Sequence, residues 1–481
     1  MSCLAAMIHL SSWLFWLLVT AYAVTTVSCI VVVLSENRNP IRSLSWMISL
    51  IFLPGIGLIF YLFFGRSLRN TRMISHSGRR RLMERNKEVN VKLGETNLLP
   101  SRRRLVMLAD SLTGAPLTHN NDIQIFTEGN AKFEALEQDL RAARHTIFIQ
   151  YYIFSDDTVG RKIADILKDK AREGIDIKVI YDHVGSFSSR NRFFKELRDA
   201  GVDARPFFRV SFPTLASRIN WRNHRKIVVI DNAIGYIGGM NIADRYVIGV
   251  KNEGPWRDTH FRVHGDIVSQ LLHSFAVDWS FMGQPFLNTG PKLSNHTPNE
   301  LGIQFVASGP TTNWNNLSLC FLRAISSAHK SIYLQTPYFL PTEALLEALQ
   351  AAALAKIDVR VMIPRKSDSR LLQLASSSYI TECLKAGIKV YLYEDGMLHA
   401  KTMIIDDDFV TAGSTNFDFR SLENNFECNL LVYDSDFNRR MRDIFFDDIR
   451  HCSKLTYSEW HRRPRIQRLL ESVVRLMAPV L

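Results

Sequence analysis

Cysteine is scarce and scattered: Cys3, Cys29, Cys320, Cys383, Cys428 and Cys452 are the only six in 481 residues, and no two form a Cys-x-x-Cys pair. That pattern excludes a zinc ribbon and a disulfide framework, and reads as reduced thiols in a cytosolic catalytic part. Acidic and histidine clusters at two-metal spacing are also missing, so neither a metal nor a cofactor is called for. Outside residues 66–104 the chain is nearly neutral, holding three of its formal +12 charges, so there is no electrostatic ground for a nucleic-acid partner. Disorder is not indicated either: 46% hydrophobic and 22% charged residues are normal for material that folds around a core, and the length suffices for two domains.

What the first residues do hold is apolar. Residues 10–34 are an uncharged run of 25 and residues 44–64 one of 21, each long enough for a membrane-crossing helix. A cleaved signal peptide does not fit, because no basic stretch precedes residue 10. Pro54, Gly55 and Gly57 interrupt the second run, which allows a kinked or re-entrant course. Residues 66–104 then carry twelve Arg or Lys against three Glu. By the positive-inside rule both termini lie in the cytoplasm, giving a multi-pass membrane protein with its catalytic part inside. The same basic stretch suits contact with anionic headgroups.

The remainder is an internal duplication. Gln150 and Gln335 sit in matching apolar strands 185 residues apart, Gly201 and Gly387 in matching helix-Gly-strand passages 186 apart, and His224 and His399 are 175 apart. The first copy thus carries about eleven extra residues, around 208–222, whose Arg209, Arg218 and Arg222 leave two readings open, a loop that grips a phosphate or headgroup and a surface excursion of no special role. Strands alternating with helices predict two α/β domains packed as a pseudo-dimer. The expected layout is an anchor at 1–65, a basic linker at 66–104, domains at 105–295 and 300–460, and a C-terminal tail at 461–481.

Each half holds one His-x-Lys-x4-Asp motif, at His224, Lys226, Asp231 and at His399, Lys401, Asp406. The histidine and lysine open an apolar β-branched run, and on a strand positions i and i+2 face the same way, so imidazole and ammonium share one pocket while Arg225 and Ala400 point elsewhere. The aspartate has the opposite parity and falls in a hairpin turn, as a supporting or turn-forming group rather than a proton carrier. Folding the hairpin back brings Gly239 and Ser414 beside the pocket, where their backbone amides would meet an anion, with Asn241 and Asn416 as further donors to a phosphoryl oxygen. Glu427 is placed to orient a histidine by accepting its other ring proton. One histidine can attack phosphorus and hold it covalently, but a second must protonate the leaving oxygen. Each motif supplies only one, so the two motifs make a single active site.

The double motif resembles the phospholipase D superfamily over nearly the whole chain. Asn39-Pro40, Leu53-Pro-Gly55, Tyr61-Leu-Phe-Phe-Gly65-Arg66, Gln150-Tyr-Tyr-Ile153, Tyr181-Asp182-His183, Trp256-Arg-Asp258-Thr and Thr336-Pro-Tyr-Phe-Leu-Pro341 resemble signatures of the bacterial cardiolipin synthases with two membrane segments. The resemblance implies phosphatidyl transfer between two phosphatidylglycerol molecules, releasing glycerol, with His224 as nucleophile and His399 as acid and base. Where many members have Gly-Ser in both halves, the first copy has Gly238-Gly239. The rival readings are a hydrolytic phospholipase D with the same residues, a related nuclease, and a non-catalytic scaffold that binds anionic lipid. Six intact motif residues speak against the last.

Overall fold

The computed structural model describes residues 2–35, 40–53, 55–61, 65, 98–189, 191–209, 221–250, 254–285, 287 and 299–478. They fall into two units, one formed by the described residues up to 65 and one by those from 98 onward. Most of the basic linker and residues 210–220 of the first-copy insertion lie outside the described residues.

In the N-terminal unit the first apolar run is one helix, Ser2–Ser35, within which Ser12–Ser35 has a mean hydropathy of 2.4. From Ser12 on most of its side chains are exposed, Trp13, Phe15 and Trp16 among them, while Val33 packs against Leu50 and Tyr61. A helix of this length and composition supports membrane anchoring. The second run is not continuous. It forms helix Pro40–Phe52, a break at Gly55 (φ +78°), and a short helix Ile56–Phe60. The chain turns so closely there that a Cβ on Gly57 would lie 2.1 Å from the Ser49 carbonyl oxygen. Among the described residues, one helix is long and apolar enough to cross a membrane. The Tyr22 hydroxyl donates to the Leu50 carbonyl at 2.9 Å, tying the first two helices together.

The larger unit contains two sheets built on one plan. The first holds β1 (Asn121–Phe126), β2 (Thr146–Tyr151), β3 (Asp176–Asp182), β4 (Asp203–Phe207), β5 (Ile227–Ile230), β6 (Ile234–Gly238) and β7 (His260–Gly265), in the order β1-β7-β6-β5-β2-β3-β4. The second holds β8 (Ile303–Ser308), β9 (Ser331–Gln335), β11 (Asp358–Pro364), β12 (Lys389–Tyr393), β13 (Thr402–Ile405), β14 (Phe409–Gly413), β16 (Glu427–Val432) and β17 (Cys452–Lys454), in the order β17-β12-β11-β9-β13-β14-β16-β8. A separate two-stranded piece pairs β10 (Phe339–Leu340) with β15 (Phe417–Asp418). In both large sheets three parallel strands adjoin an antiparallel hairpin that follows the His-x-Lys pair. The duplication expected from the sequence is therefore structural.

The pleat divides each motif strand between two cores. Ile227 and Val229 join a hydrophobic cluster shared by both halves, which also takes Tyr333, Ile404, Val410 and the helices Ile267–Phe281 and Ser435–Ile449. Val228 and Ile230 point the other way, into the core of the first half. Each fully buried aliphatic side chain contributes roughly 1.5–3 kcal/mol, so the shared cluster binds the halves as firmly as a domain core does.

One boundary differs from the expected layout. Residue 105 falls inside helix Pro100–Thr113, and this helix packs on the second half, where Leu105, Val106 and Ala109 join its core. Arg102, 1% exposed, secures it through Asp406 at 3.0 Å and Asp408 at 2.8 Å. The C-terminal segment expected as a tail contains helix Arg465–Arg475, which packs on helix Arg370–Ala386.

Candidate active site

The His-x-Lys pairs lie in extended chain just before β5 and β13 rather than within them, because each is held by the opposite half. The His224 amide donates to the Phe426 carbonyl at 2.9 Å and the Phe426 amide to Arg222 at 2.8 Å. Symmetrically, the His399 amide donates to Arg257 at 2.7 Å and the Arg257 amide to Met397 at 3.0 Å. Each bridge sets the next residue of the opposite half, Glu427 or Asp258, beside a catalytic candidate. Glu427 Oε1 is 2.9 Å from His224 Nδ1, and Asp258 Oδ2 is 2.6 Å from His399 Nδ1. Both carboxylates are fully buried. Each histidine is thus oriented by the other half's acid.

Glu427 was legible in the sequence, but Asp258 was missed. In register Gly238 faces His260 and Gly413 faces Asn429, so Asp258 and Glu427 occupy equivalent positions two residues earlier. Aligning the halves on the strand after the motif would have exposed it; the differing spacer lengths hid it. Gly239 follows from the same geometry. A Cβ there would lie 2.1 Å from Asp258 Oδ1, so the missing side chain makes room for the carboxylate.

That corrects the expected anion contact. The Gly239 amide donates to the Thr259 carbonyl at 2.9 Å and the Ser414 amide to Cys428 at 2.9 Å, since the strand pairing runs on through both residues. The Ser414 hydroxyl instead donates to Glu427 Oε2 at 2.5 Å. Asn241 and Asn416 are likewise engaged within the protein: Asn241 donates to the Tyr246 hydroxyl at 3.1 Å and accepts from the Ile153 amide at 3.2 Å, while Asn416 bonds Asp418. Tyr246 Oη in turn lies 3.4 Å from His399 Nδ1.

The motif aspartates are not in the pocket. Asp231 accepts from the amides of Arg144, His145 and Thr146 at 2.7–2.8 Å, and Asp406 from those of His329, Lys330 and Ser331 at 2.7–3.1 Å. Both sit at positive φ, +50° and +54°, in the hairpin turn, a conformation aspartate tolerates better than most side chains. The four-residue strand between lysine and aspartate sets their backbones roughly 16 Å apart. Both are therefore motif members that anchor the turn, the supporting role their parity in the motif predicts, and stand outside the reacting groups.

The lysines do reach the site. Lys226 Nζ donates to the His224 carbonyl at 2.7 Å, and Lys401 Nζ lies 2.7 Å from His399 Nδ1 and 3.6 Å from Asp258 Oδ2. Arg225 points away as expected, to Asp278 at 2.7 Å, and its Nη2 donates to the Ser308 carbonyl of the second half at 3.1 Å. Tyr152 packs edge-on to His224 with ring centroids 4.9 Å apart, and Trp256 lies 5.0 Å from His399.

Burial governs the electrostatics. It pulls Lys226 down to about 7, against the attraction of Glu427 and with the repulsion of Lys401. Burial and Lys401 bring His399 to about 4 against Asp258, and burial lowers His224 against Glu427. Burial works to raise both carboxyls, but Lys401 and His399 overcome it at Asp258, and His224 and Lys226 at Glu427, so both stay below their ordinary values. Lys226 and Lys401 each also feel both carboxylates, which makes the two motifs one electrostatic site. Two lysines and two carboxylates thus form a cage around two imidazoles whose charged form burial disfavours.

Comparison with known proteins gives the family and the fold. Residues 136–279 and 321–449 match the family model described as cardiolipin synthase, PLD-like domain, and residues 24–66 match that described as phospholipase D-nuclease N-terminal. The chain is 37% identical over 465 residues to the major cardiolipin synthase ClsA of Bacillus subtilis, covering 94% of this chain and 96% of that protein. It is 39% identical over 459 residues to cardiolipin synthase 2 of Bacillus anthracis, covering 94% and 89%. The solved structure of phosphatidylserine synthase from Haemophilus influenzae shares the fold, with a TM-score of 0.59 at 16% identity over 79% of this chain and 100% of that one. The chain belongs to the cardiolipin synthase family and is a phosphatidyltransferase built on duplicated phospholipase D-like α/β domains.

Proposed function

We propose that the chain transfers a phosphatidyl group from one phosphatidylglycerol to another through a phosphohistidine, giving cardiolipin and glycerol. The observation that carries this reading is the pair of histidines whose Nδ1 atoms each meet a buried carboxylate at 2.6–2.9 Å. A carboxylate there keeps the proton on Nδ1 and leaves the Nε2 lone pair for chemistry. His224 Nε2 attacks phosphorus, the bond from phosphorus to the glycerol oxygen breaks, and His399, which takes up a proton on Nε2 when the phosphate anion binds beside it, gives that oxygen its proton. The terminal hydroxyl of the second phosphatidylglycerol then passes its proton to His399 and attacks phosphorus, and the nitrogen–phosphorus bond breaks. Lys226 and Lys401 neutralise the equatorial oxygens, with the second amide hydrogens of Asn241 and Asn416 as further donors.

The anchor fits a lipid substrate. We read residues 44–64 as a second crossing, with both termini and the catalytic unit in the cytoplasm of a bacterial cell. The uncharged length of that run and the basic residues at 66–104 support it. Functionally the two domains comprise residues 115–285 and, with helix Pro100–Thr113, residues 303–478.

Incubating the purified full chain in detergent with labelled phosphatidylglycerol alone tests the reaction. Cardiolipin and glycerol in equal amounts are the expected products. Phosphatidic acid in place of cardiolipin would mean that water resolves the intermediate, and no lipid product would point to a nuclease or a scaffold.

A further inference from the structure

Helix Arg465–Arg475 is built with its polarity reversed. Its inner side is held by polar contacts: Arg463 pairs with the buried Glu471 at 2.5 Å, Gln467 donates to the same carboxylate at 3.2 Å, and Arg475 pairs with Glu382 at 2.5 Å. Arg475 also lies over the Tyr379 ring at 4.2 Å, and Val474 packs on the core of the second half. The apolar side faces out. Ile466 is 68% exposed, Leu469 61%, Leu470 52%, Val473 53% and Leu476 82%. The spacing i, i+3, i+4, i+7 and i+10 makes them one continuous stripe. Exposed single leucines are ordinary on a protein surface, but such a stripe marks a surface with a partner.

The charge along the helix selects the partner. Residues 461–478 hold five arginines and one acid, Glu471, which is turned inward and paired. Arg462 and Arg465 are exposed and Arg468 is partly so. A second copy of the chain packed stripe to stripe would bring these arginines against their own equivalents, with no acid between them. Anionic phospholipid offers both what the stripe needs and what the arginines need: acyl chains and phosphate. The apolar helix Ser12–Ser35 keeps the chain at a bilayer, so such a surface is always at high effective concentration.

We propose that helix Arg465–Arg475 lies along the bilayer surface, with Ile466, Leu469, Leu470, Val473 and Leu476 at the acyl boundary and Arg462 and Arg465 against lipid phosphates. It is a second membrane contact, made by the catalytic unit itself and independent of the N-terminal anchor. It does not depend on which lipid the active site converts.

The test uses the full chain with Cys3, Cys29 and Cys452 replaced by serine, and Leu470→Cys carrying an environment-sensitive fluorophore. The protein is reconstituted into vesicles of phosphatidylcholine with and without a minority of phosphatidylglycerol. The expected result is blue-shifted emission, quenched by a lipid-borne quencher, in the anionic vesicles. The quenching should be several-fold weaker in the neutral ones, and several-fold weaker in the anionic ones after Arg462→Glu with Arg465→Glu. Ser472→Cys, on the flank of the same helix, should respond less. Water-like emission in anionic vesicles overturns the proposal. So does equal burial in both lipids, or a shift in detergent that grows with protein concentration, which would assign the stripe to a second copy.

Discussion

Glu427 Oε1 lies 2.9 Å from His224 Nδ1, and the two residues are 203 positions apart, in different halves of the duplicated fold. The bond holds the ring in place and keeps its proton on Nδ1. Replacing the acid by an amide, Glu427→Gln, keeps the shape and loses the charge. Turnover should fall by about two to four powers of ten. Because Glu427 raises the His224 pKa against burial, its loss lowers that pKa further. The acidic limb of the kcat/KM profile should therefore move to lower pH; a limb that stays in place would detach Glu427 from the titration.

The two histidines should separate under trapping. With His224 as nucleophile, His399→Ala retains the attacking nitrogen and should accumulate acid-labile label from phosphatidyl-labelled substrate, while His224→Ala should incorporate none. Label retained by His224→Ala alone would reverse the assignment.

Gly239 tests the cage from its other side. Alanine there would drive a Cβ to 2.1 Å from Asp258 Oδ1 and displace the carboxylate from His399. Gly239→Ala should lose activity by at least tenfold more than Ser414→Ala, which removes one hydrogen bond to Glu427 and leaves space unchanged. Steady-state kinetics of the two variants, both checked for folding, decide this.

Asp406 should matter to stability more than to chemistry. It holds three backbone amides and shares Arg102 with Asp408. Asp406→Ala should cost about 3 kcal/mol, seen as a melting temperature several degrees lower. The folded fraction should retain most of its turnover. A variant as stable as the parent but inactive would return the aspartate to the chemistry.

The charge state of the cage predicts proton uptake. His399 near 4 and His224 below its usual value are neutral at pH 7, and Lys226 near 7 is half protonated. A bound phosphate anion favours the protonated form of each, so binding at pH 7 should take up protons. Calorimetry of inorganic phosphate binding in buffers of different ionisation enthalpy measures the number and its sign. Linkage gives a second check: His399 binds its proton more tightly unfolded than folded, so this contribution to stability is complete above about 6.5 and is lost as pH falls toward 4. The melting temperature should drop across that window, less steeply in His399→Gln.

Much of this protein was legible because its signals are local. A 3.6-residue period, a two-residue strand parity and an uncharged run are properties of neighbouring residues, so the apolar first helix, the duplicated α/β plan, the shared face of His224 and Lys226 and the hairpin at Asp231 could all be read from the sequence. The second apolar run could not be settled so simply, since where a helix breaks depends on how Gly55 and Gly57 are packed.

Tertiary structure alone decided which groups meet. Asp258 reaches His399 across 141 positions, Arg102 reaches Asp406 across 304, and no periodicity encodes either pairing. The amides of Gly239 and Ser414 were assigned to a ligand by proximity and are donors to neighbouring chain, because strand pairing satisfies buried backbone groups first. The outward turn of the Leu469 and Val473 stripe was likewise invisible, since an amphipathic pattern reports that a helix has two faces but not which one its own protein covers.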